Sequence, residues 1–284
     1  MRGLMQHDVL VDGVEAEGGW LNERAFQFGD GLFETIAVID REPCLWDAHM
    51  ARLAEGCRRL RLPLPDSSCL ARECRDLCAG QAQAVLKVYW TAGQSERGYG
   101  RPVTLKPKRI IRRSAWARPA AARHWVVRQC THRLGENPTL AGIKHLNRLD
   151  QVIGRSEWTD PAIDEGLMLG QDGRVVCGTM SNLFLQYGEH LATPAVDGAG
   201  VAGTVRDLVL KLAERTGHTV DVAALTPEQV HAADAIYLTN SLIGVVRVRR
   251  YESTELDPGR LEHPVMIEVR RLCHQGQPLD FRRE

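Results

Sequence analysis

Lys144, in the run AGIKHLNRLDQV, is the residue whose surroundings could turn a lysine into a nucleophile. A surface lysine is merely solvated, but this one follows apolar Ile143 and precedes an amphipathic segment whose helical dipoles would make its start positive. Burial and positive potential both lower an ammonium pKa, and a neutral amine can attack a carbonyl to form a Schiff base. Such chemistry needs an anchored carbonyl compound, and three other patterns could hold an anion. AGVAGTVRD ends in a glycine-flanked turn at a helix start, where the N–H groups of Gly203, Thr204 and Val205 are free to point at a phosphate. Arg52, in HMARL, carries a guanidinium that can fork onto phosphate oxygens. Thr239 to Ser241, TNS, follow a strand and offer hydroxyls and an amide at a sheet edge where α/β folds bind ligands. Taken singly, these are an ordinary helix start, an exposed arginine and a strand-end turn.

The elements that must bring them together alternate between strand and helix. Residues 31–46 read as an antiparallel hairpin turning at Asp40-Arg41, and residues 47–62 as a helix capped by Asp47 and stopped by Pro63. A second helix spans 68–78 and a strand 84–91. The loop GQSERGYGRP follows, rich in glycine and polar residues, and it carries Arg97 and Tyr99. Residues 114–123, SAWARPAAAR, read as a linker. Beyond it come a strand at 125–130, a helix at 145–158, and strands at 166–169, 174–176 and 182–186. A helix at 204–215, a short helix at 226–231 capped by Thr226 with Pro227 at its first position, and a strand at 235–239 complete the pattern. The fold expected is two α/β lobes, a smaller one over residues 1–118 and a larger one over 119–284, since 284 residues exceed a usual single core.

Composition removes several function classes. Lys and Arg total 36 against 36 Asp and Glu, so no global charge attracts nucleic acid or an anionic membrane. There is neither a signal-length apolar run at the N-terminus nor a stretch of about 18 apolar residues, which places the chain in the cytoplasm. The eight cysteines lack C-x-x-C pairs and read as reduced thiols. Cys74 and Cys78, one helical turn apart without a histidine pattern, read as core residues and not as metal ligands. His145 beside the lysine is as consistent with a local hydrogen bond as with a proton shuttle. RIIRRSAWAR holds four arginines but one stacking ring, Trp116, and reads as a solvated edge instead of an RNA site.

In order along the chain, FQFGDGLFET, HMARL, IKHLNRLDQV, DGRVVCGTMSNLFL, AGVAGTVRD and TNS resemble the fold-type IV pyridoxal-5'-phosphate (PLP) enzymes over nearly the whole sequence. That family contains branched-chain aminotransferases, D-amino-acid aminotransferases and aminodeoxychorismate lyases, and AGIKHLNRL with DQV and RGYG is most similar to the lyase branch. The resemblance implies PLP in the cleft between the lobes, Lys144 as its Schiff-base lysine and later acid/base, and Arg52, Gly203, Thr204, Val205 and Ser241 around its phosphate. It implies Arg97 and Tyr99 at a substrate carboxylate, a homodimer whose partner chain completes each pocket, and conversion of 4-amino-4-deoxychorismate to 4-aminobenzoate and pyruvate for folate synthesis. An aminotransferase for D-amino or branched-chain acids, or a family relic without activity, are the other outcomes. One position departs from the pattern. Where most members have a glutamate facing the pyridine nitrogen, this chain has Cys177, and a thiol cannot match a carboxylate in stabilising a pyridinium. A weaker electron sink penalises elimination, which passes its electrons to a leaving group, less than it penalises transamination.

Overall fold

The computed structural model describes residues 10–11, 14–15, 20–118, 124–257 and 259–275. A two-strand ribbon, β1 (Leu10–Val11) and β2 (Val14–Glu15), precedes α1 (Arg24–Phe28). A four-stranded antiparallel sheet follows, built from β3 (Gly31–Ile39), β4 (Glu42–Pro43), β5 (Gln83–Thr91) and β6 (Lys108–Ala115) in the order β4-β3-β5-β6. Helices α2 (Trp46–Leu60) and α3 (Ser67–Cys78) lie between β4 and β5 in the chain. Leu32 and Ile36 of β3 and Leu86 and Val88 of β5 alternate inward against Leu53 and Cys57 of α2 and Leu70 and Cys74 of α3. That period of two leaves Phe33, Thr35, Lys87 and Tyr89 on the opposite face.

The second sheet has nine strands: β7 (Trp125–Leu134), β8 (Glu165–Gly170), β9 (Val175–Gly178), β10 (Asn182–Tyr187), β11 (His190–Pro194), β12 (Val220–Ala223), β13 (Ala235–Asn240), β14 (Gly244–Tyr251) and β15 (Thr254–Glu255). Its order is β12-β11-β10-β13-β14-β7-β8-β9 with β15 on β14, and it curls until β9 lies near β10. Helices α4 (Leu149–Arg155), α5 (Thr204–Arg215), α6 (Pro227–His231) and α7 (Pro264–Leu272) complete the mixed α/β fold. Phe184, Tyr237 and Val245 pack under Val205 and Val209 of α5 and Met266 and Val269 of α7.

Several expected boundaries move. The helix expected at 145–158 forms only over Leu149–Arg155, because the backbone before it is held extended: Phe33 N donates to Lys144 O at 3.0 Å and Leu146 N to Gly31 O at 3.0 Å. Asp47 is not the cap of α2; Leu45, in a left-handed conformation, takes that position and Asp47 lies in the first turn. Helix α3 starts one residue early, since Asp66 caps it by accepting from Cys69 N. Ser114 and Ala115 belong to β6 and not to a linker, and 119–123 of that expected linker, with the 118/119 boundary, lie at or outside the limit of the described residues. Thr226 caps α6 with Pro227 in its first turn, as expected, and Gln229 adds a capping box beyond that expectation. All eight cysteines are free, and among the described residues no metal-binding cluster occurs and no helix is long and apolar enough to cross a membrane.

Ile143 belongs to the core of the small sheet although it lies beyond the expected linker; it is 1% exposed among Leu32, Leu53 and Leu86. Truncating it removes buried contacts and leaves a cavity beneath the Lys144 backbone. Ile143→Ala is therefore expected to destabilise the fold by about 2–5 kcal/mol, read as a lower urea midpoint at unchanged slope. An unchanged midpoint would show that this anchor is not a structural one.

Candidate active site

The segment Gly142–Leu146 is stitched on both sides. Gly142 N donates to Gly200 O at 3.0 Å and Ala202 N to Gly142 O at 2.9 Å, while Lys144 and Leu146 pair with β3 as above. Lys144 is thus fixed between the small sheet and the loop that enters α5. Its Nζ lies 4.3 Å from the centre of the Phe33 ring. Burial, and secondarily the Arg52 charge, pull its pKa down to about 7. The helix dipole expected from the sequence is not the cause, since α4 begins five residues later.

A cavity of about 590 Å³ opens over this amine. It lies within the usual range for ligand sites, about 300–1,000 Å³. Its lining brings together Arg52, Lys144, Cys177, Gly203, Thr204 and Ser241. Gly203 is the N-cap of α5 and makes no side-chain cap, so the first N–H groups of the helix, those of Thr204 and Val205, have no helical acceptor. A Cβ at Gly203 would come 2.0 Å from Asn182 Oδ1, so only glycine lets the backbone pass here. Val205 points its side chain into the core, leaving only its N–H for a ligand. Thr239 Oγ1 is buried without a partner in the same wall. A half-neutral amine, a helix start with free N–H groups and an orphaned hydroxyl are what PLP requires, and these residues fit it. Ser241 is a different case: it lines the cavity, but its hydroxyl donates to Thr35 O at 2.6 Å.

Arg52 is oriented by a residue the sequence reading passed over. Glu34, on β3 and 1% exposed, accepts from Arg52 Nε at 2.8 Å and Nη2 at 2.5 Å, and lies 2.6 Å from His49 Nδ1; Arg52 Nη1 donates to Ala202 O at 3.0 Å. His49 and Arg52, three apart on α2, share the face that meets β3. Burial alone would raise the Glu34 carboxyl, yet Arg52 and then His49 outweigh it and hold the pKa at about 2. The clue in the sequence was a carboxylate inside the apolar alternation GLFETIAVI. Lys87 was missed likewise, though it is the one charge in AVLKVYWT; it lines the cavity opposite Thr35. Arg148 and Arg155 also line it.

Cys177 is buried in the cavity wall as a neutral thiol, its pKa pushed up to about 12 by burial and then by Glu165. Glu165 accepts from Thr179 N, Thr179 Oγ1, Met180 N and Ser181 Oγ, shaping the turn that follows Cys177. Arg97 and Tyr99 are not brought to Lys144. Both are exposed on a loop held by buried Arg24, which donates to Gly98 O, Tyr99 O and Gly100 O, and Tyr99 borders a separate recess with Phe28 and Arg101. His145 is near-neutral in character, its pKa pulled down to about 4 by burial and Arg148.

Trapping an added aldehyde on Lys144 with borohydride should rise with pH through an apparent pKa near 7, because only the neutral amine reacts. Arg52→Leu removes a positive neighbour and should move that midpoint upward. A wild-type midpoint at the ordinary lysine value of 10.5 would remove the electrostatic account.

The amino-transferase class IV family matches residues 31–251. An aminodeoxychorismate lyase of Vibrio harveyi is 31% identical over 267 residues, covering 92% of this chain and 97% of that protein. The crystal structure of 4-amino-4-deoxychorismate lyase from Pseudomonas aeruginosa matches with a TM-score of 0.79 at 39% identity, over 91% of this chain and 93% of that one. The branched-chain amino acid aminotransferase of Escherichia coli shares the fold, with a TM-score of 0.77 at 23% identity over 91% and 90% of the two chains.

Proposed function

Because the chain belongs to the amino-transferase class IV family, whose enzymes use pyridoxal phosphate, we propose that it is a PLP-dependent lyase converting 4-amino-4-deoxychorismate to 4-aminobenzoate and pyruvate. The observation that carries this reading is the position of Lys144: a buried amine near pKa 7 in one cavity with an anion cradle and with basic side chains to spare. When bound, PLP supplies a carbonyl that condenses with amines and a ring that draws electrons from the adjoining carbon. Lys144 Nζ holds the carbonyl, and Gly203, Thr204, Val205, Arg52 and Ser241 are the candidates for its phosphate. Once the substrate amine has taken its place, Lys144 is free and neutral enough at pH 7 to take the proton from substrate C4. The C3–O bond then breaks, the ring becomes aromatic, and the departing enolpyruvate takes up a proton to become pyruvate. Lys87 and Arg155 suit a substrate with two carboxylates, one more than a simple amino acid carries. Cys177 fits the same reading, since elimination relies less on electrons stored in the cofactor ring.

We further propose a cytoplasmic homodimer. Leu149, Val152 and Ile153 on α4 and Met180 beside the cavity mouth are each at least half exposed, an apolar patch that a second copy would cover. In that arrangement Arg97 and Tyr99 would reach a substrate carboxylate from the neighbouring copy. Ile153→Glu should then shift the protein to monomer in sedimentation; a wild-type monomer would sink the dimer and the role of that loop together.

Incubation with aminodeoxychorismate should give 4-aminobenzoate and pyruvate in equal amounts, and Lys144→Ala should lower kcat by at least about 100-fold. Conversion of the cofactor to its pyridoxamine form by an amino donor alone, with no 4-aminobenzoate formed from aminodeoxychorismate, would favour an aminotransferase instead. Protein that stays colourless with added PLP would end the enzymatic reading.

A further inference from the structure

The charged lining of the cavity is one-sided. Arg52, Lys87, Lys144, Arg148 and Arg155 face it, and among the described residues no aspartate or glutamate does. The nearby carboxylates are engaged behind the wall: Glu34 by Arg52 and His49, Glu165 by the 179–181 turn, and Asp150 by His132 at 2.9 Å. The cations differ in how far they are committed. Arg52 is forked on Glu34, and Arg155 donates to Trp158 O at 3.0 Å while lying 4.5 Å over the Trp158 ring. Arg148 is fastened at one nitrogen only, Nε to His145 O at 2.9 Å, and its Nη2 is buried with no hydrogen-bond partner. Arg148 and Cys177 are close enough that each alters the other's proton affinity. The Cys177 Sγ in turn borders the loop entering α5, 3.9 Å from where a Cβ on Gly200 would sit.

Resting on the PLP reading above, we propose that the ring nitrogen of the bound cofactor is unprotonated at neutral pH, with Arg148 donating to the ring edge that Cys177 leaves without a carboxylate. In PLP the nitrogen lies across the ring from the carbonyl carbon. A cofactor with its carbonyl at Lys144 and its phosphate at the start of α5 would present that edge away from the lysine, in a cavity whose lining also includes Cys177 and Arg148. A pyridinium there would face a neutral thiol and a set of cations, with no anion to offset its charge. An unprotonated ring nitrogen is an acceptor, and Arg148 has a buried N–H in want of one. Lys144 and His145 do not compete for the role, since the first is taken by the carbonyl and the second lies outside the lining of this cavity.

The test is nitrogen NMR of the holoenzyme loaded with PLP labelled with 15N in the ring, followed by borohydride reduction and mapping of the modified lysine. The expected wild-type signal is that of an unprotonated pyridine nitrogen at neutral pH. Arg148→Leu should raise the nitrogen's pKa by about one pH unit or more, and Cys177→Glu should move the signal to the protonated position. Should Arg148→Leu fail to fold, Arg148→Gln makes the same measurement. A protonated nitrogen in wild type, with Lys144 modified, overturns this inference and leaves the cofactor reading standing. An unprotonated nitrogen whose titration Arg148 variants do not move overturns the part assigned to Arg148. Failure to modify Lys144 overturns the cofactor reading and this inference with it.

Discussion

Residues 142–146 govern the site because their backbone is paired on both sides. One edge is bonded to Gly31 and Phe33 of β3 and the other to Gly200 and Ala202 of the loop entering α5. A backbone segment shared in this way cannot shift without breaking hydrogen bonds in two places, each expensive to leave unmade when buried. Ile143 adds a third constraint by filling the core of the small sheet. Lys144 and the free N–H groups at the start of α5 are therefore set at a fixed separation by main chain, before any side chain is chosen. Position comes from this pairing, and so does burial, which does most to bring the lysine to a pKa of about 7.

Electrostatic order follows from that placement. Lowering an ammonium pKa by burial and nearby cations calls for an anion elsewhere to keep the cations oriented, and Glu34 has that part. It sits behind Arg52, buried and forked, where it fixes the guanidinium without neutralising the cavity lining itself. Burial of such a pair is a weak route to stability but a good route to a single geometry, because leaving either partner alone costs more than keeping both. The carboxyl is held at about 2, so its favourable contribution is complete above the ordinary value of 4.5 and disappears only as the pH falls through about 2. The arrangement is thus at full strength at the pH where Lys144 can act.

What could be read from the sequence were features with local causes. The helix at Thr204–Arg215 and the Thr226 cap with Pro227 behind it depend on residues within a few positions of each other, and both stand where the sequence pattern puts them. The extended run around Lys144 depends on β3, more than a hundred residues earlier, so an amphipathic pattern that predicts helix from 145 is overruled by tertiary pairing that holds the chain open until Leu149. Strands β6, β11, β12 and β14 and helix α7 escaped for a similar reason: their periodicity is short or charged, and partners elsewhere in the sheet stabilise them. Among site residues, Lys144, Arg52 and Gly203 stood in recognisable runs, whereas Glu34 and Lys87 were single charges inside apolar strands. Such a charge is expensive to bury alone, which makes it a sign of a partner or a ligand even when no motif surrounds it. Arg97 and Tyr99 show the converse, a suggestive run whose exposed side chains do not line the Lys144 cavity of their own chain.

On the proposed reading, holding a cofactor and choosing its reaction fall to different parts of this molecule. The holding parts are main-chain features: the paired lysine segment, the free N–H groups of α5, and a glycine that admits no Cβ against Asn182. These tolerate changes of side chain, which accounts for one backbone serving aminotransferases and lyases alike at low identity. The choosing parts would be side chains that project from already fixed elements, Phe33, Thr35 and Lys87 from one sheet face, Cys177 from β9 and Arg148 from the N-cap of α4. Exchanging a carboxylate for a thiol at Cys177 changes the field across the cavity without moving the lysine, because no main-chain pairing depends on that side chain. The reaction can therefore drift by substitution while the lysine and its cradle stay in register.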